Sequence, residues 1–158
     1  MEFLIIAGVL MGIGGTVAMD IWTVVLSKLG IAPFPNWAMP GRWFGHVFKG
    51  RLFHDDIGAV APVRGDLALG WGLHYGVGVI YGVVFAMLAG VVWVASPDFL
   101  SVWIFSLITI AAGWFLLQPG MGLGWAASKT PNPSKVRILG LAAHTVFAVG
   151  MWLVARAL

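Results

Sequence analysis

The sequence predicts an all-α integral membrane protein, a bundle of four transmembrane helices with an interfacial amphipathic segment between the first and second helices. Of its 158 residues, 60% are hydrophobic and 9% are charged, whereas an ordinary soluble domain carries about 25% charged residues. The mean hydropathy is +0.95. Four apolar runs are each long enough to cross a hydrocarbon core of ~30 Å at ~1.5 Å per residue. We therefore expect a single membrane domain covering residues 1–158.

The predicted spans cover residues 3–27, 67–95, 99–127 and 136–157. Helices satisfy their own backbone hydrogen bonds in lipid, and the short alternating strands of a barrel are absent. Pro119 removes a backbone donor within the third span and crowds the preceding turn, which predicts a kink there. In the polar loop SKTPNPSKVR, Ser134 is a candidate cap for the last helix.

The connection between the first two spans, residues 30–65, contains the segment GRWFGHVFKGRLF. Its apolar side chains recur at helical spacing (Trp43, Phe44, Val47 and Phe48), and basic ones take the other side (Arg42, His46 and Lys49). This pattern is typical of an interfacial helix, whose aromatic rings lie among lipid headgroups while its bases meet phosphates. We expect a membrane-anchored loop, and a substrate gate is the alternative.

The basic residues predict the orientation, because cytoplasmic loops carry an excess of Lys and Arg. Of the 9 basic residues, all but Arg156 lie in or beside the first and third connections. Both termini are then expected to be periplasmic and these connections cytoplasmic. The net charge of +3 is small for a nucleic-acid-binding protein. The expected partners are membrane lipids, further copies of the chain or a larger membrane complex, and not nucleic acid.

Each predicted span carries one polar residue at a similar depth, about 10 to 15 Å from its cytoplasmic end at a regular helical rise. These residues are Asp20, His74, Gln118 and His144. A charge inside hydrocarbon costs at least ~2.5 kcal/mol, so an ionisable residue there is a functional hypothesis by default. The sequence therefore predicts a polar layer near the cytoplasmic side of the bundle.

Small residues at helical spacing accompany this layer. They are Gly8, Gly12 and Thr16 before Asp20, Gly78 and Gly82 after His74, and Gly120 and Gly124 after Gln118. Such residues let membrane helices approach closely, so these faces are expected to point into the bundle and carry the polar groups inward. The alternative is that the glycines only pack helices within the bundle or between protomers.

Four uses of the polar layer are open. Without cysteine, a divalent metal such as zinc, iron or manganese would use Asp20, His74 and His144, with Gln118 as a weaker ligand or an outer partner. The layer could instead be a hydrogen-bonded structural core or a proton path. Haem ligation by His74 and His144, the least favoured use, would need room between the helices.

Side chains that can coordinate a metal ion also lie just outside the predicted spans. They are His46, His54, Asp55 and Asp56. If the loop folds under the bundle mouth, these groups could complete a site that the polar layer begins. The simpler interpretation is that Asp55 or Asp56 caps the short apolar segment at residues 57–61.

Five segments together resemble a family of small bacterial inner-membrane proteins of unknown function. They are Met19 with Asp20, GRWFGH at 41–46, FHDD at 53–56, LGWGLHY at 69–75 and QPGMGLGWAASKTPNP at 118–133. The resemblance covers essentially the whole chain and implies four spans in the bacterial plasma membrane. It implies no reaction and no ligand residues.

Three classes of function follow from these patterns. The first is a membrane binding or transport-related module whose polar layer is a candidate metal site. The second is a metal-dependent membrane enzyme acting on a lipid or a quinone. The third is an accessory subunit of a larger complex with a purely structural polar core. No phosphate-binding glycine loop is present, which argues against ATP-driven transport by this chain alone.

Overall fold

The computed structural model describes residues 1–158 and is all-helical. Its helices are α1 (Glu2–Lys28), α2 (Ala38–Val47), α3 (Asp66–Ala95), α4 (Phe99–Gly120) and α5 (Pro133–Ala155), with short 3-10 turns at Ile57–Ala59 and Trp125–Ala127. Four of these helices, α1, α3, α4 and α5, are long and apolar enough to cross a membrane. The predicted fold class and its four spans are thus confirmed.

The third span ends at Gly120, whereas the sequence predicted residue 127. The helix widens into a π-helical turn over Gly113–Leu117, which ends two residues before Pro119. Proline has no N–H to donate and its ring crowds the carbonyl of the preceding turn, so the wider turn accommodates it. Beyond the helix, Gly122 and Gly124 adopt φ of +89° and +73°, which glycine tolerates and which end the helical path. The predicted irregularity at Pro119 is confirmed, and the predicted extension past it is wrong.

The start of α5 differs in a similar way. The backbone N–H of Lys135 donates to Oδ1 of Asn132 at 3.0 Å, which makes Asn132 the cap of α5. Pro133 occupies the first helical position, where its missing N–H has no helical partner to lose. Ser134 therefore lies inside the helix, and its predicted capping role is wrong.

The chain forms two compact units. The first, unit 1, comprises Met1–Phe34, Tyr75–Thr109 and Ala142–Leu158, and the second, unit 2, comprises Pro35–His74 and Ile110–Leu141. The expectation of a single membrane domain stays a prediction.

Unit 1 has an apolar core drawn from all four long helices. Its buried members are Met11, Phe85, Val102, Phe147, Met151 and Ala155. Beside this core, α1 and α3 touch backbone to backbone, because a Cβ on Gly8 would meet Val83 and a Cβ on Gly12 would meet Val79. Thr16 donates its hydroxyl hydrogen to the carbonyl of Gly12 at 2.8 Å and exposes no unpaired hydroxyl there. The predicted inward orientation of the first two small-residue stripes is confirmed.

Unit 2 is centred on α2. Trp43, Ile57 and Met121 are its buried core, and Trp43 donates its indole N–H to the carbonyl of Leu52 at 2.8 Å. The Trp43 ring, which the sequence predicted to lie among lipid headgroups, is only 6% exposed. Phe48, just beyond α2, is 75% exposed. The third small-residue stripe does not continue along a helix, because Gly124 lies beyond the end of α4.

Arg42 joins α2 to the start of α3 and to the turn before it. Its Nε and Nη2 donate to Oδ2 of Asp66 at 3.3 and 3.2 Å, and the two side chains form a salt bridge. Its Nη1 donates to the carbonyl oxygens of Ile57, Gly58 and Val60, the last at 2.8 Å. The close approach of Gly41 to Asp66 and of Gly70 to Trp37 brings the two helices near enough for this contact.

Asp98 caps α4 and makes its stability depend on pH. One carboxylate oxygen accepts the backbone N–H of Ser101, and the other accepts the Ser101 hydroxyl and the Trp93 indole N–H, each at 2.8 Å. The backbone and then the hydroxyl of Ser101 lower the pKa of Asp98 below its usual value of 3.8. A lowered pKa stabilises the folded state above the pKa of the unfolded chain, and this stabilisation disappears as the pH falls through the folded pKa.

We expect Asp98→Ala to lower the melting temperature at neutral pH, and the difference from wild type to shrink as the pH falls below about 3.8. Tryptophan fluorescence during heating in detergent, repeated across this pH range, measures the melting temperatures of the variant and the wild type. Asp98→Asn is the matched control, because it keeps an oxygen for the Ser101 N–H without the charge. A difference between Asp98→Ala and wild type that does not change with pH would contradict the charged cap.

Candidate functional site

Asp20 is paired within unit 1. The hydroxyl of Tyr75 on α3 donates to Oδ2 of Asp20 on α1 at 2.7 Å, a short hydrogen bond of the kind that charged acceptors form. The glycine contacts between α1 and α3 bring these two side chains together. Tyr75 was not among the predicted site residues, although it directly follows His74 in the segment LGWGLHY.

His144 is tied to α4 within the same unit. Its Nδ1 lies 2.8 Å from the carbonyl oxygen of Ser106, and because a carbonyl only accepts, Nδ1 carries the proton. Ser106, which is fully buried, donates its own hydroxyl to the carbonyl of His144 at 2.6 Å. This reciprocal pair fixes α5 against α4, whereas Asp20 is paired with α3.

His74 lies in an aromatic group of unit 2. Its ring stacks on Trp37, with centroids 4.0 Å apart and an angle of 27° between the planes. Trp71 meets His74 edge to face at 5.9 Å and Trp37 at 5.5 Å. Aromatic packing thus contributes to the position of the His74 ring.

The chain contains no group of three or more His, Asp or Glu side chains placed to hold a metal ion. The hypothesis that Asp20, His74 and His144 share one ion is therefore not supported. Their contacts include a tyrosine for Asp20, a serine for His144 and two tryptophans for His74.

Two other predicted residues do come together in unit 2. The rings of His46, at the end of α2, and His54 meet edge to face, with centroids 5.2 Å apart and an angle of 74°. We call these two residues the histidine pair. His54 is only 5% exposed, and its backbone N–H donates to the carbonyl of Gly120 at 3.0 Å. Ile57 donates likewise to Met121 at 3.1 Å, so this segment is fixed against the end of α4.

The ring of His54 has a defined orientation. Its Nδ1 lies 3.1 Å from the same Gly120 carbonyl oxygen, so Nδ1 donates and the neutral ring keeps a lone pair on Nε2. That Nε2 is buried without a hydrogen-bond partner, as are Nε2 of His46 and Oε1 of Gln118. Leaving such an atom unpaired costs roughly 1 to 3 kcal/mol. Buried polar atoms of this kind call for a ligand, an ion or a water.

The two acidic neighbours of His54 serve the turn that follows. Oδ1 of Asp56 accepts the backbone N–H of Gly58 at 2.8 Å and caps the 3-10 turn Ile57–Ala59, as the simpler interpretation predicted. Asp55 is exposed, and its backbone carbonyl lies against Gly122. Neither carboxylate joins the histidine pair in a group of three metal-ligating side chains.

Sequence reasoning named Gly120 as a small residue at helical spacing but missed that it orders this site. Gly120 accepts two hydrogen bonds from His54, and a Cβ there would collide with the indole of Trp43. FHDD and QPG are both visible in the sequence, but no spacing or periodicity indicates that they meet. The glycine itself was the only available signal of a close approach.

Comparison with known proteins identifies a family and nothing finer. Residues 9–158 match the family described as Protein of unknown function (DUF2938). No curated protein and no solved structure matches the chain.

Proposed function

Because the chain belongs to the DUF2938 family, which has no assigned function, we propose a function from its own contacts: an integral membrane binding module that holds a divalent transition-metal ion on His46 and His54. The observation that carries the proposal is the buried Nε2 of His54, which has no partner while Nδ1 is committed to the Gly120 carbonyl.

The orientation of His54 is the one that metal-binding histidines adopt. Such a histidine almost always donates its other ring N–H to a carbonyl or carboxylate, which fixes the tautomer and makes the free nitrogen a better ligand. Gly120 supplies that carbonyl for His54. A free lone pair in a buried, oriented ring is thus ready to coordinate a cation.

The spacing of the rings also suits a shared ion. With metal–nitrogen bonds of about 2.0 to 2.1 Å and a tetrahedral angle, two coordinated imidazole centroids lie about 5 Å apart. The centroids of His46 and His54 are 5.2 Å apart. Since Nε2 is buried and without a hydrogen-bond partner in both rings, this is the atom that each would present.

Gln118 is the residue best suited to assist. Its buried Oε1 accepts no hydrogen bond, and it belongs to the same terminal turn of α4 as Gly120. An amide oxygen is a weaker ligand than imidazole, and the remaining positions on the ion would be open to water or to a small ligand, as in catalytic zinc sites. Imidazole ligation favours zinc, copper, nickel or iron over magnesium and calcium.

The proposal places the chain in the bacterial plasma membrane with both termini periplasmic. The distribution of Lys and Arg supports this orientation, since only Arg156 lies outside the first and third connections and their flanks. His46 and His54 belong to the first of these connections, so a metal ion would reach them from the cytoplasmic side.

Zinc titration of chelator-treated protein in detergent tests the site. Calorimetry should show one Zn²⁺ bound per chain, and His54→Ala or His46→Ala should weaken binding by more than about tenfold, since the loss of an outer partner alone costs 10- to 100-fold. Gln118→Leu should have a smaller effect. Wild-type protein that takes up no zinc would overturn the proposal.

His74→Gln, His144→Gln and Asp20→Asn are the matched controls. Each changes a polar residue that the structure pairs elsewhere, so each should bind zinc as the wild type does. If these variants lose the metal while the histidine-pair variants keep it, the polar layer is the site and the proposal fails. A Soret band in the purified protein would point to haem instead.

A further inference from the structure

We infer that residues 48–53 of unit 2 form a binding site for the anionic headgroups of phospholipids. We call this segment the basic turn. Lys49 and Arg51 are exposed on it, and they are flanked by Phe48 and Phe53, which are 75% and 60% exposed. The inference does not depend on metal binding, because none of these side chains belongs to the histidine pair.

The backbone of the basic turn is fixed before any lipid binds. Gly50 adopts φ of +79°, a conformation that favours glycine. Its N–H donates to the carbonyl of Val47 at 2.9 Å, and the N–H of Arg51 donates to that of His46 at 3.0 Å. These two bonds form the glycine-terminated C-cap that ends many helices.

Hydrogen bonds also fix the C-terminal end of the basic turn. The carbonyl of Leu52 accepts the indole N–H of Trp43 at 2.8 Å, and the N–H of His54 donates to Gly120 at 3.0 Å. The inner side of the segment is therefore occupied by the core of unit 2, and its exposed side carries the two bases and the two phenyl rings. Such preorganisation lowers the entropy lost on binding.

The charge of the basic turn favours an anionic ligand. Lys49 and Arg51 take no part in a salt bridge, whereas Arg42 in the same unit is paired with Asp66. Unpaired bases beside exposed aromatic rings match the boundary of an anionic bilayer, where phosphates lie next to the first methylenes of the acyl chains. In a chain with four helices able to cross a membrane, such a boundary lies at the ends of those helices.

Lipid titration in zwitterionic detergent tests the site. Phosphatidylglycerol is added to the full-length protein, and bound lipid is counted by native mass spectrometry, with phosphatidylcholine as the neutral comparison. We expect tighter binding of phosphatidylglycerol, weakened by added salt. The double variant Lys49→Gln with Arg51→Gln should bind it about 25-fold more weakly, at about fivefold for each base.

Two further variants keep the outcome interpretable. Lys129→Gln with Lys135→Gln removes two exposed bases elsewhere in unit 2 and should leave the affinity nearly unchanged, while Lys49→Arg should retain binding. Equal affinity for the two lipids, or an equal loss in the Lys129 and Lys135 variant, would overturn the inference. Displacement of the lipid by millimolar inorganic phosphate would also overturn it, because it would indicate a simple anion site.

Discussion

Gly12→Ala is expected to lower the free energy of unfolding by about 3 kcal/mol, at the upper end of the usual cost of overpacking. A Cβ on Gly12 would lie 2.7 Å from Cα of Val79, closer than carbon atoms can approach. Because the opposing atom is backbone, no side chain can rotate away, and α1 must move from α3. Gly82→Ala should behave alike, since its Cβ would lie 2.8 Å from Cα of Gly12.

Gly76→Ala on α3 is the matched control. A Cβ there meets nothing within 4 Å, so the alanine should leave stability unchanged or raise it by up to ~1 kcal/mol through its better helix propensity. Unfolding in SDS, followed by circular dichroism, compares the three variants under one set of conditions. Equal midpoints for Gly12→Ala and Gly76→Ala would show that the glycine contact between α1 and α3 does not limit stability.

The four spans were predictable because length and hydropathy alone determine them, whereas their ends depend on local chemistry that hydropathy does not record. The third span illustrates this. The run of apolar residues continues past Pro119, but the proline, the π-helical turn before it and two glycines with positive φ end the helix at Gly120. The observed cap of α5 differs from the predicted one for a comparable reason. Pro133 takes the first helical position, and Asn132 supplies the acceptor.

The candidate site was predictable only in part. Counting residues along a helix gives the depth of a side chain but neither its rotation nor its partner. The structure shows hydrogen bonds of Asp20 with Tyr75 and of His144 with Ser106, and depth alone indicated neither partner. The sequence offered His46 and His54 as parts of one site only if the loop folded under the bundle mouth. The carbonyl of Gly120 that orients His54 comes from a segment 66 residues away in sequence.

Arg42→Ala should destabilise unit 2 by about 2 to 4 kcal/mol, somewhat less than the 3 to 5 kcal/mol expected for breaking a fully buried ion pair. The side chains of Arg42 and Asp66 are 14% and 17% exposed, so some water can replace the lost contact. The change leaves the Asp66 carboxylate without its cation and the Val60 carbonyl without the donor at 2.8 Å. Both losses fall on the segment that connects His54 to α3.

Hydrogen exchange monitored by mass spectrometry locates the effect, which we expect in residues 57–66 before the rest of the chain. Arg42→Lys should recover only part of the stability, because an ammonium group cannot reach Asp66 and the carbonyls together as the guanidinium does. Arg64→Ala removes an exposed base nearby and should change stability by less than about 0.5 kcal/mol. If Arg42→Lys matched the wild type, the charge of Arg42 and not its forked geometry would be what stabilises the turn. If Arg42→Ala exchanged like Arg64→Ala, the contacts of Arg42 would contribute nothing measurable to unit 2.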